Sequence, residues 1–253
     1  MRNSDGETVL DRAFRVLEAF SAERPWLTLA ELADASGLPR STAYRLARQL
    51  EQHGALERVR DGWRLGVRLF ELGELVSRRQ QLRDLALPHM EDLYEATRAT
   101  VHLGVLEGDD VLYVEILSGH RKVSAPSRIG GRMPAHATGV GKVLLAYRDD
   151  VIARLASDTR ELTAVTAYTI TDPQRLRAEL LAVRRRGLAE DRQEAATGLV
   201  CIAAPLLVAR DHAVAGLSVA MAQRGRLKPD AVEVRLRETA DRLSRTLREA
   251  GVR

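Results

Sequence analysis

Short amphipathic segments separated by turn residues make up the N-terminal part of the chain. Five apolar residues recur there at helical spacing: Leu10, Ala13, Phe14, Leu17 and Phe20. This spacing predicts a helix with one apolar face, and Pro25 ends the pattern. Thr28 and Glu31 then have the spacing of a capping box, which predicts a short second helix that stops near Gly37.

A third helix is predicted from about Pro39 to His53, because apolar and polar residues occupy opposite sides of its helical turns. The inner face carries Ala43, Leu46, Ala47 and Leu50. The outer face carries Ser41, Arg45, Arg48 and Gln52. Two short runs, 56–60 and 63–65, then flank Asp61 and Gly62, which predicts a β-hairpin with its turn at that pair.

Two helices joined by a tight glycine turn and followed by a hairpin are the parts of a winged helix-turn-helix domain. In such a domain the second helix presents hydrogen-bond donors to base edges, and a basic wing suits the phosphate backbone. The candidate DNA-contacting residues are Thr28, Arg40, Ser41, Thr42, Tyr44, Arg45, Arg48, Arg58, Arg60 and Arg64. The alternative is a small helical bundle whose arginines are only solvated.

The rest of the chain alternates helical segments with β-rich runs. Residues 67–97 are predicted to be mostly helical with an interruption at Pro88, and the polar stretch 78–81 marks the expected domain boundary. The predicted strands span 100–106, 111–116, 188–191, 199–207 and 213–220. The predicted later helices span about 138–147, 150–157, 172–186 and 229–248, and a loop is predicted at 118–134.

Composition narrows the classes of protein. The chain has 253 residues, of which 45% are hydrophobic and 29% charged, as is typical of soluble globular proteins. The sequence shows neither an apolar stretch of the ~20 residues that cross a bilayer nor an apolar signal segment, so we expect no membrane partner and a cytoplasmic location. The net charge of +4 is weak evidence for an anionic partner. Cys201 is the only cysteine and the six histidines are scattered, so neither a disulfide nor a metal site is expected.

Several segments resemble the IclR family of bacterial transcriptional regulators. In the N-terminal part they are residues 11–17, 28–33, 36–46, 63–66 and 72–73. In the C-terminal part they are Met133 to Lys142, which is similar to the family's PxHAxxxGK stretch, and residues 187–191, 198–205 and 217–219. These segments occur in the family's order and cover nearly the whole chain.

The resemblance implies an α+β protein of three parts. These are a winged helix-turn-helix DNA-binding domain at 1–66, a linker helix at 67–82, and a GAF-like α/β effector-binding and oligomerisation domain with a central antiparallel sheet at 83–253. It implies a homodimer or homotetramer that binds a palindromic double-stranded DNA operator, acts as a repressor, and is controlled by a small organic or aromatic acid without a cofactor or metal.

The resemblance also implies the residues that contact the effector: His136, Gly139, Val140, Asp191, Leu199, Cys201 and Ser218. The second serine that some members carry is Ala220 here, which favours a larger or less polar ligand. From the residues alone, Gly139 could serve only a turn and His136 only a structural role.

A cysteine-dependent hydrolase is the alternative function. Cys201 would be its nucleophile, His136 its base and Asp191 its orienting carboxylate. However, Cys201 lies in an apolar run, where burial raises the pKa of a thiol and makes it inert. We therefore expect a ligand-responsive regulator and not an enzyme.

Overall fold

The computed structural model describes residues 7–118, 126–224 and 229–252. The chain divides into two compact units, one up to Ser77 and one from Arg78 onward. The predicted linker, residues 67–82, falls on a helix of the first unit and on the start of the following helix.

The N-terminal unit is a small helical domain with a three-stranded antiparallel sheet of order β1-β3-β2. In chain order its elements are α1 (Val9–Glu18), β1 (Trp26–Thr28), α2 (Leu29–Ser36), α3 (Arg40–Gln52), β2 (Leu56–Val59), β3 (Gly62–Leu65) and α4 (Val67–Glu74). The core between helices and sheet includes Val16, Leu27, Leu32, Leu46, Leu56 and Trp63. The predicted winged helix-turn-helix architecture is confirmed.

Local sequence signals explain how α2 and α3 are joined. Thr28 accepts a hydrogen bond from the backbone N of Glu31, and the Glu31 carboxylate accepts one from the backbone N of Thr28, so the capping box is formed. The helix ends at Gly37, whose φ of 63° lies in the left-handed region that glycine adopts without strain. The turn therefore orients α3 as the spacing predicts.

The predicted hairpin is present, but its turn lies one residue earlier than expected. Val59 pairs with Gly62, so the turn residues are Arg60 and Asp61, and Arg60 has a φ of 54°. Gly62 lies in β3, where a Cβ atom would lie 2.1 Å from the carbonyl oxygen of Leu27 in β1. The glycine thus permits the close approach of a third strand, β1, which no spacing in the sequence predicts.

The predicted apolar face of α1 is partly wrong. Leu10 and Phe14 are 70% and 61% exposed, whereas Val16 is fully buried. The buried face passes through Ala13, Val16 and Leu17, which lie three to four residues apart on one side of the helix, and Phe20 packs into the same core just after the helix ends. Leu10 and Phe14 consequently lie outside the core of this unit.

The C-terminal unit is built on a six-stranded antiparallel sheet of order β6-β5-β4-β9-β8-β7. Its strands are β4 (Thr100–Glu107), β5 (Asp110–Leu117), β6 (Arg132–Pro134), β7 (Ala189–Arg192), β8 (Leu199–Ala209) and β9 (His212–Ala222). Its helices are α5 (Ser77–Thr97), α6 (Gly139–Leu145), α7 (Asp149–Ser157), α8 (Pro173–Arg186) and α9 (Pro229–Glu249), with a short 3₁₀ turn at Ala135–Ala137. The predicted central antiparallel sheet is confirmed.

Helices cover both faces of this sheet. One core joins α5 and α9 to the sheet and includes Met90, Leu103, Leu217, Leu236 and Leu243. A second core joins α6, α7 and α8 to the opposite face and includes Val111, Val140, Leu176, Leu180 and Ala203. The chemistry-bearing residues of this unit lie on the α6 side.

Two predictions for the C-terminal unit are wrong in part. Pro88 lies inside α5 instead of interrupting it, because Leu82, Ala86, Met90 and Leu93 pack one side of that helix into the core. The predicted loop at 118–134 ends in a short strand, β6, and its residues 119–125 lie outside the described part of the chain. Among the described residues, no helix is both long and apolar enough to cross a membrane.

Candidate functional site

The outer face of α3 is the most basic feature of the N-terminal unit. Ala43, Leu46 and Ala47 are buried against the core. The residues on the opposite side are exposed: Arg40, Ser41, Tyr44, Arg45, Arg48 and Gln52. Thr42 is half-buried at the edge of this face. Donors are thus presented outward from one side of the helix, an arrangement that suits reading a DNA groove.

The wing is tied to α3 through Trp63. The guanidinium of Arg58 lies 4.3 Å from the centre of the Trp63 ring, and Nε1 of Trp63 donates a 3.0 Å hydrogen bond to Glu51. Arg48 Nη1 lies 3.1 Å from Oε1 of the same Glu51. These contacts hold the hairpin beside the exposed face of α3.

The arginines differ in how strongly their own chain holds them. Arg48 pairs with Glu51, and Arg64 Nη2 lies 2.7 Å from Oε2 of Glu57. Within the described residues, no ion pair involves Arg45 on α3 or Arg60 at the wing turn. Arg45 and Arg60 therefore have charges available to an external anion, as does the exposed Arg40 at the start of α3, for which the described residues also show no ion pair.

A second constellation surrounds a small cavity between the sheet and α6, which we call the sheet cavity. Six of the seven predicted effector residues line it: Gly139, Val140, Asp191, Leu199, Cys201 and Ser218. Sequence reasoning missed further lining residues, among them His102, Tyr113, Ser127, Met133 and Thr138. The cavity measures about 10 Å³, which is room for about one water molecule, so a larger ligand must widen it.

Strand register brings these side chains together. Asp191 in β7 is paired with Cys201 in β8, and His102 in β4 is paired with Ser218 in β9. Gly139 opens α6 directly above them, since a Cβ atom there would lie 3.7 Å from both the Asp191 nitrogen and the Cys201 Cβ. At Gly141 a Cβ would lie 2.0 Å from the Ala135 oxygen, so that glycine is required by packing.

Asp191 is the most unusual group in the sheet cavity. It is only 1% exposed, and its Oδ1 accepts hydrogen bonds of 2.6 Å and 3.3 Å from the backbone nitrogens of Glu194 and Ala195. Oδ2 has no hydrogen-bond partner among the described residues. Burial raises the pKa of Asp191 to about 6, although the two backbone hydrogen bonds act in the opposite direction.

His102 lies among hydroxyl groups. Its Nε2 is 2.8 Å from Oγ of Ser127, and its Nδ1 is 3.5 Å from Oγ of Ser218. Burial lowers the pKa of His102 to about 4, so the imidazole is neutral at physiological pH. The neighbouring Tyr113 hydroxyl is 3.8 Å from Sδ of Met133, and burial raises its pKa. This end of the cavity thus carries neutral polar groups.

Lys142 lies beneath the cavity. Its Nζ donates hydrogen bonds of 2.5 Å to both the Glu190 carbonyl oxygen and Oε1 of Glu194. Lys142 and Glu194 are 1% and 6% exposed at their side chains, so they form a buried ion pair. The pair fixes the chain segment whose backbone nitrogen holds Asp191.

His136 lies elsewhere, and its predicted grouping with the other effector residues is wrong. Its Nε2 is 2.9 Å from the carbonyl oxygen of Thr163, in a separate cleft of about 450 Å³ beside α7 that also includes Asp109 and Arg154. The 3₁₀ turn Ala135–Ala137 explains this position, because its two alanines are buried in the core and His136, which lies between them, is not.

The separation of His136 from the sheet cavity also contradicts the alternative function, a cysteine-dependent hydrolase. Asp191 and Cys201 line the sheet cavity, but His136 lies in the other cleft and cannot act as their base. Burial raises the pKa of the Cys201 thiol, and the nearby Asp191 adds to that shift, so the thiol stays protonated. The described residues also contain no cluster of His, Cys, Asp and Glu suited to a metal ion.

Comparison with known families matches both units. The family described as "Bacterial transcriptional regulator IclR C-terminal" matches residues 75–245. The family described as "IclR helix-turn-helix domain" matches residues 9–60. Together these matches extend over most of the chain.

Similar proteins and solved structures agree with these two family matches. The regulator XynR of Escherichia coli is 31% identical over 212 residues, which are 83% of this chain and 84% of that protein. The transcriptional repressor IclR of the same organism is 31% identical over 83% of this chain and 78% of its own length. The crystal structure of an IclR homolog from Microbacterium hydrocarbonoxydans, complexed with 4-hydroxybenzoate, has a TM-score of 0.84 and 35% identity, and covers 96% of this chain and 100% of that one.

Proposed function

The chain belongs to the IclR family of bacterial transcriptional regulators, and we propose that it is a cytoplasmic repressor released from its operator by a small aromatic acid. Helix-turn-helix binding to DNA and effector binding in the C-terminal domain are properties of this family. The observation that carries the proposal is the exposed arginine face of α3 beside the wing, in one chain with a buried polar cavity. The repressor role is supported by the relative named as a transcriptional repressor.

Residues 1–66 are the proposed DNA-binding domain, residues 67–82 the linker helix and residues 83–253 the effector-binding domain. Arg45 is the proposed base reader, because it projects from the middle of the exposed face and no described carboxylate holds it. Arg60 is the proposed phosphate contact at the tip of the wing. Thr28, Arg40, Ser41, Thr42, Tyr44, Arg48, Arg58 and Arg64 complete the proposed surface.

A homodimer or tetramer is the proposed assembly, with two α3 helices in major grooves about 34 Å apart on a palindromic operator. Large apolar side chains support self-association of the N-terminal unit, since its core leaves them exposed. They are Val9, Leu10, Phe14, Val67, Phe70 and Leu75. Exposed apolar surface of this kind is typical of a protein interface.

The proposed effector occupies the sheet cavity. The Microbacterium structure was solved with 4-hydroxybenzoate, and the sheet cavity of this chain combines apolar walls at Val140 and Leu199 with polar groups at Asp191 and Ser218. To release DNA, the effector must bind one conformation of the protein more tightly than the DNA-bound one.

Fluorescence anisotropy tests the DNA part of this proposal. The duplex is the region upstream of the protein's own gene, and a scrambled duplex of equal composition is the competitor. Preference for the upstream duplex, with affinity falling steeply as salt rises, supports the proposal. Equal binding of the two duplexes would contradict it.

Matched variants separate the two arginine roles. Arg45→Ala is expected to reduce the preference between duplexes, whereas Arg60→Ala weakens binding to both alike. Arg154→Ala is the control, because this arginine lies in the C-terminal unit and pairs with Asp109. Addition of 4-hydroxybenzoate to the complex tests whether an aromatic acid lowers its affinity for DNA.

A further inference from the structure

The two oxygens of the Asp191 carboxylate have different surroundings: one accepts hydrogen bonds from the backbone, and the other has no donor among the described residues. Oδ1 accepts two backbone hydrogen bonds, from Glu194 and Ala195. Oδ2 is buried without a hydrogen-bond partner among the described residues, and Asp191 lines the sheet cavity. A buried acceptor left without a donor is costly, so this geometry points to a donor supplied from the cavity.

The charges around Asp191 decide what kind of group can meet it. His102 on β4, Tyr113 on β5 and Cys201 on β8 are neutral for the reasons given above. Lys142 on α6 is the nearby cation, but its Nζ is bound to Glu194 and to the Glu190 carbonyl. None of the described residues that line the cavity is a lysine or arginine. A ligand carboxylate placed at Asp191 would therefore face a like charge without a cation between them.

We infer that the effector presents a hydrogen-bond donor, in the simplest case a hydroxyl group, to Oδ2 of Asp191 and keeps its carboxylate away from this residue. The inference rests on the proposed function, since it takes the sheet cavity as the effector site. It narrows the effector class from aromatic acids in general to acids that carry a hydroxyl or amino group. Asp191 is then a specificity-determining residue, and Glu194 positions it through its backbone nitrogen.

Isothermal titration calorimetry of the full chain tests this with four ligands: 4-hydroxybenzoate, 4-aminobenzoate, 4-methoxybenzoate and benzoate. The first two carry a donor, and the methoxy compound controls for size. We expect the two donors to bind about 10- to 100-fold more tightly than the other two, because a buried acceptor rejects a ligand that leaves it unpaired. This arm uses the unmodified protein and so does not depend on a variant that folds.

Asp191→Asn provides the second arm. An amide cannot supply the charged acceptor, so the ratio of 4-hydroxybenzoate to benzoate affinity should fall toward one. Asp109→Asn is the matched control, because this aspartate is exposed in the His136 cleft and should leave the ratio unchanged.

Proton exchange distinguishes the two orientations of the ligand. Titrations at pH 7.5 in buffers of different ionisation enthalpy should show no net proton uptake with 4-hydroxybenzoate. A carboxylate seated at Asp191 would instead take up about one proton, since one of the two like charges must be neutralised.

The outcomes separate the inference from the proposed function. Equal affinities for the four ligands, or uptake of about one proton, would overturn the inference and leave the sheet cavity as an effector site. If none of the four ligands binds, the proposal of an aromatic acid as effector is contradicted, and so is this inference, which rests on it.

Discussion

Nε1 of Trp63 in β3 donates a 3.0 Å hydrogen bond to Oε2 of Glu51 near the end of α3. The indole is 1% exposed, so its donor has no access to water as a substitute. The hydrogen bond from Trp63 is also the largest cause of the lowered pKa of Glu51. A single carboxylate thus joins the wing to the helix that carries the DNA-facing arginines.

The first prediction concerns this carboxylate. Glu51→Ala should lower the free energy of unfolding of the N-terminal unit by about 1–3 kcal/mol, because the buried indole donor loses its acceptor. Denaturant unfolding followed by tryptophan fluorescence measures the effect. Glu51→Gln retains an acceptor oxygen and should recover part of the loss.

Glu71→Ala is the control for Glu51→Ala. Glu71 also pairs with an arginine three residues away, Arg68, but this pair is exposed. Its removal should change stability by less than about 0.5 kcal/mol. Equal losses in the two variants would show that the indole contact contributes nothing.

A glycine pair tests the close approach of β1 and β3. Gly62→Ala should unfold the wing or destabilise the N-terminal unit strongly, because the new Cβ would lie 2.1 Å from the Leu27 oxygen. Gly73→Ala in α4 is the matched control, since no atom lies within 4 Å of its added Cβ and alanine favours a helix. Thermal unfolding measures both, and a well-folded Gly62→Ala protein with unchanged stability would contradict the geometry.

Local signals predicted the N-terminal unit well because they act between residues close in sequence. The Thr28 capping box, the Gly37 turn and the outward face of α3 all depend on spacings of a few residues. By contrast, β1 is only three residues long and exists through its pairing with β3. The sequence predicts the turn at the Asp61-Gly62 pair because the tight contact of Gly62 with Leu27 is not visible in sequence.

The sheet cavity likewise depends on contacts between residues that are distant in sequence, which local spacing does not predict. Asp191, Cys201 and Ser218 were assigned through the resemblance, and the structure brings them together. His102 was missed because it is separated from Ser218 by 116 positions, and only the pairing of β4 with β9 joins them. Strand alternation could have placed His102 on one face of β4 but could not have chosen its neighbour.

The buried Lys142–Glu194 pair gives a third prediction. Lys142→Met should destabilise the C-terminal unit by about 3–5 kcal/mol, because it leaves the Glu194 carboxylate buried without its cation. Adding Glu194→Leu should recover most of that loss, because the double variant has no buried charge at this point. Denaturant unfolding monitored by circular dichroism measures each variant.

The exposed pair of Arg148 and Asp150 supplies the control for this cycle. Arg148→Met should cost less than about 0.5 kcal/mol, since solvent screens both charges. If the double variant is as unstable as the two single losses added together, the two side chains do not act as a pair.

The last prediction concerns the pH dependence of stability at Asp191. Its pKa of about 6 in the folded protein lies above the ordinary value of 3.8, so ionisation costs folding free energy above pH 6 and none below pH 3.8. Asp191→Asn should therefore be more stable than the unmodified protein at pH 8, by at most about 3 kcal/mol. The advantage should shrink as the pH falls from 6 toward 4.

The unmodified protein and Asp191→Asn must be compared at each pH, because the titration of His102 changes the free energy of unfolding in the opposite direction. With a pKa of about 4 against an ordinary 6.5, His102 contributes stability that is present above pH 6.5 and lost as the pH falls toward 4. Both proteins share this loss, so it cancels in the difference between their unfolding free energies. A difference that is constant from pH 8 to pH 5 would show that Asp191 does not titrate in this range and would contradict its raised pKa.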